Sequence, residues 1–379
     1  MRTGILHFFV AVFAFINTSA YSFSQENTPR TLRELGFPVG IFQPGKYNAI
    51  TDVPGVSVGH VTCIEGKDIR TGVTAIVPHQ GNIFKNKVPA AVYVGNGFGK
   101  LAGVTQIQEL GNIETPIILT NTLSVAAGLD GLITYTLSQE GNEGVRSVNG
   151  VVGETNDGLL NNIRARFIRP EHVLEAIASA STGPVAQGNV GAGTGTVCFG
   201  WKGGIGTSSR ILPESLGGWT VGVLVQSNYG GILEIDGVPV GKRLGQYEFK
   251  KNVASGSADG SCMMVIITDA PLDARNLERV AKRAVMGLAK TGGIASNGSG
   301  DYVIALSVAP GNLVRPGETL QNVTLLSNDR MSPLFEATIE ATAEALWNSL
   351  FMAETLSGNG STVKALPVPE VLKMLRKRR

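Results

Sequence analysis

Apolar runs rich in β-branched residues stand at 115–120, 219–225, 263–268 and 302–307, and each has the length and composition of a buried strand. The segments between them carry a different period. Over 273–290, Leu277, Val280, Ala281, Ala284 and Leu288 form one apolar stripe at helical spacing, Asp273 stands where an N-cap belongs, and Gly292 and Gly293 supply the stop. Similar patterns run over 124–138, 171–181 and 333–351. Strands alternating with helices predict layers of sheet covered by helices. The 379 residues, 43% of them hydrophobic, suffice for a large core, and neither a linker-like stretch nor an internal repeat divides them.

Glycine is the compositional outlier, with 49 residues, and it clusters over 188–206 as Gly188-Asn189-Val190-Gly191-Ala192-Gly193-Thr194-Gly195-Thr196 and Gly203-Gly204-Ile205-Gly206. A backbone without Cβ atoms turns tightly and comes close to its neighbours, so this stretch is expected as strands and loops packed around a site or another segment. The G-x-G-x-x-G spacing fails here in every register, and Leu101 follows Gly99-Lys100 where a phosphate loop needs Ser or Thr.

Lys and Arg total 32 against 30 Asp and Glu, a net charge of +2, and the lone basic run is Arg376 to Arg379 at the C-terminal end. That balance argues against nucleic acid as a partner, and the basic run reads as a solvated helix end. At the other end, Arg2, an apolar stretch over 5–16 too short to span a bilayer, and Thr18-Ser19-Ala20 have the order of an export signal. Residues 1–20 are therefore set outside the fold, and the mature protein is expected in the periplasm, free of the membrane once the signal is removed; an uncleaved anchor is the other reading. Cys63, Cys198 and Cys262 provide neither a disulfide framework nor zinc spacing. With His7 in the signal, only His60, His79 and His172 remain as histidine bases.

Four segments carry candidate chemistry. The polar stretch 245–260 looks exposed and cleavable, and it ends in Asp259-Gly260-Ser261 directly before an apolar strand. Cleavage after Gly260 would give Ser261 a hydroxyl and a new α-amine together; an α-amine has a pKa of about 7.7 to 8.0 and can take the proton of its own hydroxyl. Gly-Ser before a strand is also ordinary turn chemistry. Asn297-Gly298-Ser299-Gly300-Asp301 places Ser299 and Asp301 at i, i+2, on one side of an extended chain, where they could support that amine; a β-turn with Asp301 capping is the other reading. Asn228, in Ser227-Asn228-Tyr229-Gly230-Gly231 after a strand ending at Gln226, could donate to an oxyanion or sit in a turn. Glu154 follows a short apolar strand and could pair with a substrate ammonium or cap the next helix.

Seven segments, in chain order, resemble one family. They are Gly95-Asn96-Gly97-Phe98-Gly99-Lys100-Leu101-Ala102-Gly103, Thr120-Asn121-Thr122-Leu123, the Glu154 segment, Ser227-Asn228-Tyr229-Gly230, Gly260-Ser261, Thr268-Asp269-Ala270-Pro271-Leu272 and Asn297-Gly298-Ser299-Gly300-Asp301. The family is that of the self-processing aminopeptidases DmpA and BapA, and the likeness spans about residues 35–350, nearer to the BapA group. It implies an α+β protein with a four-layer αββα sandwich of the N-terminal-nucleophile-hydrolase type, a single catalytic domain cut into an α chain (21–260) and a β chain (261–379). It further implies Ser261 as nucleophile, Ser299 and Asp301 beside its amine, Asn228 in the oxyanion hole and Glu154 on the substrate's ammonium. No metal or organic cofactor is implied, and αβ pairs are expected to form a homotetramer. The implied activity is release of N-terminal residues from short peptides and amides with a free amine, as a β-peptidyl aminopeptidase or, alternatively, an α-amino acid aminopeptidase, amidase and esterase of DmpA type. Some relatives carry an aromatic residue where this chain has Asn156 and Glu where it has Asp301, departures that bear on substrate preference and rate.

Three other readings compete for the same residues. An acyltransferase with a threonine nucleophile fits poorly with Ser261 and with export. A serine hydrolase of the Gly-x-Ser-x-Gly type lacks its motif at any strand-to-helix turn. A non-catalytic periplasmic solute-binding protein would use the glycine-rich loops to hold its ligand and would stay uncut.

Overall fold

The computed structural model describes residues 28–250 and 260–378; the export-signal segment 1–20 and residues 251–259 of the cleavable stretch lie outside the described residues. The strands of two sheets are β1 (Ser57–Glu65), β2 (Ile69–Val77), β3 (Val88–Gly97), β4 (Leu101–Ala102), β5 (Asn112–Ile113), β6 (Ile117–Asn121), β7 (Val151–Thr155), β8 (Gly204–Ile211), β9 (Thr220–Asn228), β10 (Ser261–Thr268) and β11 (Gly300–Ser307). One sheet has the order β1-β2-β6-β7-β4 and the other β8-β9-β10-β11-β3-β5. The helices are α1 (Val104–Leu110), α2 (Val125–Leu137), α3 (Pro170–Ala178), α4 (Val240–Leu244), α5 (Ala274–Lys290), α6 (Ser332–Phe351) and α7 (Val368–Arg376).

The period-2 alternation of strand side chains builds the layers. Along β10, Met263, Val265 and Ile267 enter a core shared with Val73, Leu119 and Val152 of the other sheet, while Cys262, Met264 and Ile266 enter the core beneath α5 and α6. Helices α2 and α3 cover the outer face of the five-stranded sheet, and α5 and α6 that of the six-stranded sheet. The result is the four-layer αββα sandwich. Each sheet contains one parallel pair, β6 with β7 and β10 with β11, joined through α2 and α5 respectively. Parallel neighbours require such a crossover, which is why strand and helix patterns alternate there in the sequence.

Two glycines set how closely the helix layers approach. A Cβ at Gly206 of β8 would lie 1.9 Å from the Ala345 carbonyl oxygen of α6, and one at Gly59 of β1 would lie 2.0 Å from the Ala176 carbonyl oxygen of α3. Either substitution would force backbone apart, the role of glycine at a close approach.

Helix α5 forms as expected: Asp273 accepts the Asn276 N–H at 2.9 Å, Leu277, Val280, Ala281, Ala284 and Leu288 are buried, and Gly292 follows at a φ of +89°. Several strand boundaries shift, two of them on paired neighbours. The strand expected to end at Gln226 runs on through Asn228, and the one expected from 263 begins at Ser261. Both extensions arise because β9 and β10 continue pairing to Asn228 opposite Ser261. The helix expected over 171–181 closes at Ala178, where Ser179 provides the C-cap. The basic run is exposed at the end of α7 through Arg378.

Candidate active site

Strand pairing assembles the chemistry before any side chain is considered. Antiparallel β9 sets Asn228 opposite Ser261, and parallel β11 sets Gly300 opposite Ser261 from the other side. Adjacent strands lie about 4.8 Å apart, so Ser261 stands one strand away from Asn228 and from the pair that flanks Gly300. Within that pair the Ser299 hydroxyl donates to Asp301 Oδ1 at 2.9 Å, the contact that i, i+2 residues of extended chain allow. A Cβ at Gly260 would lie 3.0 Å from Ser299 Oγ, so this hydroxyl reaches the Gly260–Ser261 junction. Asp301 is buried with no hydrogen-bond partner on Oδ2, and burial pushes its carboxyl up to about 6 against the opposing pull of Ser299.

The junction itself is held from two directions. The Ser261 hydroxyl donates to the Gly260 carbonyl oxygen at 2.5 Å, and the Gly300 N–H donates to the same oxygen at 3.2 Å. A carbonyl that already receives a backbone N–H is placed to carry developing negative charge when its carbon is attacked. Asn228 is oriented by its neighbours: its Oδ1 accepts the Val197 N–H at 2.9 Å, which fixes Nδ2 as the end that turns away from Val197 and donates.

Val197 belongs to the glycine-rich segment, and the fully buried Lys202 ties that segment down. Its ammonium donates to the Gly193 and Gly203 carbonyls at 2.9 and 2.7 Å, and burial draws its pKa down to about 7. Nothing in the sequence singles out Lys202, because a lysine in a glycine-rich stretch carries no spacing signal.

The opposite wall comes from the five-stranded sheet. Glu154 is the fourth residue of β7, buried and capping no helix, so the helix-cap alternative does not hold. Its Oε1 accepts the Lys100 backbone N–H at 2.9 Å and the Lys100 ammonium at 3.4 Å, and that ammonium also donates to Thr122 Oγ1 at 2.7 Å. A Cβ at Gly99 would lie 3.2 Å from Glu154 Oε1 and 3.3 Å from the Gly300 Cα, so the segment between β3 and β4 passes tightly between the two walls. Glu154 and Ser261 line one cleft of about 140 Å³, together with Phe98, Lys100, Thr122, Asn156, Gly260 and Gly298.

The structure thus brings Ser261, Gly260, Asn228, Ser299 and Asp301 together through β9, β10 and β11, and brings Glu154 into the cleft that Ser261 faces. Asn96 has no signal in the sequence that gives it a specific role. Its amide donates to the Ser299 and Ser296 carbonyls, and the Phe98 N–H adds a bond to the Ser299 carbonyl at 3.1 Å, which pins the loop before β11. None of His60, His79 and His172 lines the cleft.

A family model described as Peptidase family S58 matches residues 48–363. The chain belongs to peptidase family S58. It is 41% identical over 370 residues to the β-peptidyl aminopeptidase BapA of Sphingosinicella microcystinivorans, covering 92% of each chain. Among solved structures, a β-aminopeptidase from a Burkholderia species shares 41% identity at a TM-score of 0.84, over 92% of this chain and 99% of that one. The L-aminopeptidase D-Ala-esterase/amidase of Ochrobactrum anthropi, described as a variant of the Ntn-hydrolase fold, shares 32% identity at 0.84, over 92% and 98%. This S58 chain is accordingly a hydrolase of the aminopeptidase class with an Ntn-hydrolase-type sandwich, and the solute-binding alternative falls away.

Proposed function

We propose that this S58 peptidase cuts its own chain between Gly260 and Ser261 and then acts as a β-peptidyl aminopeptidase with Ser261 as its N-terminal nucleophile. The observation that carries this function is the position of Ser261: first residue of a central strand, with its hydroxyl on the Gly260 carbonyl and Glu154 in the same cleft. In self-processing, Ser261 Oγ attacks the Gly260 carbonyl carbon, the C–N bond breaks as the nitrogen takes a proton, and water hydrolyses the resulting ester. The products are an α chain ending at Gly260 and a β chain beginning at Ser261.

In turnover the new α-amine accepts the hydroxyl proton, the oxygen attacks the substrate carbonyl, and Asn228 donates to the oxyanion. The amine then returns its proton to the leaving nitrogen, and water releases the N-terminal residue from the serine ester. Ser299 and Asp301 hold the amine, with Asp301 ionised above about pH 6. The substrate's own ammonium binds Glu154, competing with Lys100 for that carboxylate. Export to the periplasm rests on the 1–20 segment, and assembly of αβ pairs into a homotetramer rests on the family resemblance.

Sequencing of the purified protein from its new N-terminus tests the central step. The expected smaller chain has 119 residues and begins Ser-Cys-Met-Met. An uncut chain that hydrolyses amides, or an active chain that begins at another residue, would overturn it. Rates on α-alanyl and β-homoalanyl amides decide between β-peptidyl and α-amino acid activity.

A further inference from the structure

The cleft holds a cation that the proposed catalytic cycle does not use. Lys100 lines it, with its ammonium 3.4 Å from Glu154 and 2.7 Å from Thr122 Oγ1. The two partners differ sharply in setting, for the Lys100 side chain is 57% exposed and that of Glu154 only 3%. A long exposed side chain anchored at its tip is free to move, whereas the carboxylate is fixed. Both Lys100 bonds to Glu154 fall on Oε1, so Oε2 is the oxygen that Lys100 does not engage.

A substrate ammonium on Glu154 therefore arrives beside a second ammonium, and two cations then share one carboxylate. A carboxylate next to the substrate's amine would restore the balance. The same wall offers it further donors. Thr122 contributes a hydroxyl, and Asn156 has its Oδ1 taken by the Gly158 N–H at 2.9 Å, which leaves its amide nitrogen as the donating end. Glu154 is the only carboxylate lining this cleft among the described residues, so no second acid opposes an anionic substituent.

We infer that the cleft reads a zwitterionic head group, with the ammonium on Glu154 and an adjacent carboxylate on Lys100, and that the enzyme hydrolyses peptides with an N-terminal β-linked aspartyl residue. In such a residue the free amine and the free carboxylate share one carbon, and a single methylene separates that carbon from the scissile carbonyl. The spacing from amine to carbonyl is that of any β-amino acid, so this inference rests on the β-peptidyl reading of the same site. Water adds across the amide, the C–N bond breaks, and aspartate and the freed amine leave; no co-reactant is needed.

L-aspartic acid β-p-nitroanilide and β-homoalanyl p-nitroanilide form a matched pair, because they differ only by carboxylate against methyl on the amine-bearing carbon. The mature two-chain enzyme is expected to cleave both. In Lys100→Met the ratio of kcat/KM, aspartyl over homoalanyl, should fall at least about tenfold, as for one lost charge-assisted hydrogen bond, with the change in KM; Lys100→Arg should restore most of it. Self-cleavage of each variant, followed by electrophoresis, reports that it has folded. Cleavage of the homoalanyl substrate alone, or a ratio unmoved by Lys100→Met, overturns this inference and leaves β-peptidyl activity standing. Failure of the wild type on both substrates overturns the two together.

Discussion

The two walls of the cleft are built on different plans. The wall from the six-stranded sheet carries Asn228, Ser261, Ser299 and Asp301 at or beside strand termini in mutual register, all of them buried. The wall from the five-stranded sheet carries Lys100, Thr122, Glu154 and Asn156 at the ends of β4, β6 and β7, and Lys100 and Asn156 there are open to solvent. One wall uses the N-terminal ends of its parallel pair and the other the C-terminal ends. Backbone pairing places the reacting groups directly, while on the recognising wall Lys100 and Asn156 have room to adjust around a buried Glu154. Chemistry and selectivity are thereby assigned to separate sheets, which share a core and are bridged at the cleft by the segment between β3 and β4.

Substitutions on the two walls should separate in what they change. Ser261→Ala has the largest expected effect: an uncut chain and a loss on the order of 10⁴-fold or more in hydrolysis, read by electrophoresis and by amide turnover. Asn228→Ala on the same wall should lower kcat by about 10²–10³-fold with KM little moved, as for the loss of one oxyanion donor. Glu154→Gln, on the other wall, retains an acceptor for the Lys100 N–H but loses its charge. It should lower kcat/KM for free-amine substrates by about 10–100-fold, mostly through KM, with self-cleavage intact. A Glu154→Gln chain that stays uncut would break the division between the walls.

The smallest expected effect concerns stability and pH. The Asp301 carboxyl has a folded pKa of about 6, above its ordinary value, so the folded protein holds the proton more tightly than the unfolded chain. Its contribution to stability is therefore greatest below about pH 4 and declines as pH rises through about 6. In an uncut Ser261→Ala background, adding Asp301→Asn should stabilise by up to about 2 kcal/mol at pH 8 and by little at pH 4, read from urea midpoints. An equal shift at both pH values would mean that the carboxylate is solvated or paired in the fold.

Much of this was legible in the chain. The α5 stripe, the core strands around β10 and β11, and the Gly260–Ser261 junction each leave a local mark, because burial on a fixed period and a glycine before a strand are properties of neighbouring residues. Strand β8 left only the glycines at its start. Its sequence, GIGTSSRI, is polar, yet it is buried through Ile205 to Arg210. Ser208 donates to the Ala341 carbonyl, Thr207 to the Val223 carbonyl, and Arg210 to Glu340 and Glu344 on α6, partners 16 to 134 residues away. Strand β1 was equally hidden, since His60 and Thr62 interrupt its apolar positions and its cover comes from α3.

The sequence by itself determined the layered fold class, the residue that could serve as nucleophile, and the candidates for its support, since these rest on period, spacing and residue chemistry within short segments. Only the tertiary structure decided that Asn228 and Gly300 flank Ser261, that the Gly300 N–H meets the Gly260 carbonyl, and that Lys100 occupies Glu154. Those relations depend on which strands pair and in what register. Register is settled by burying side chains from distant parts of the chain at once, and no local pattern records it.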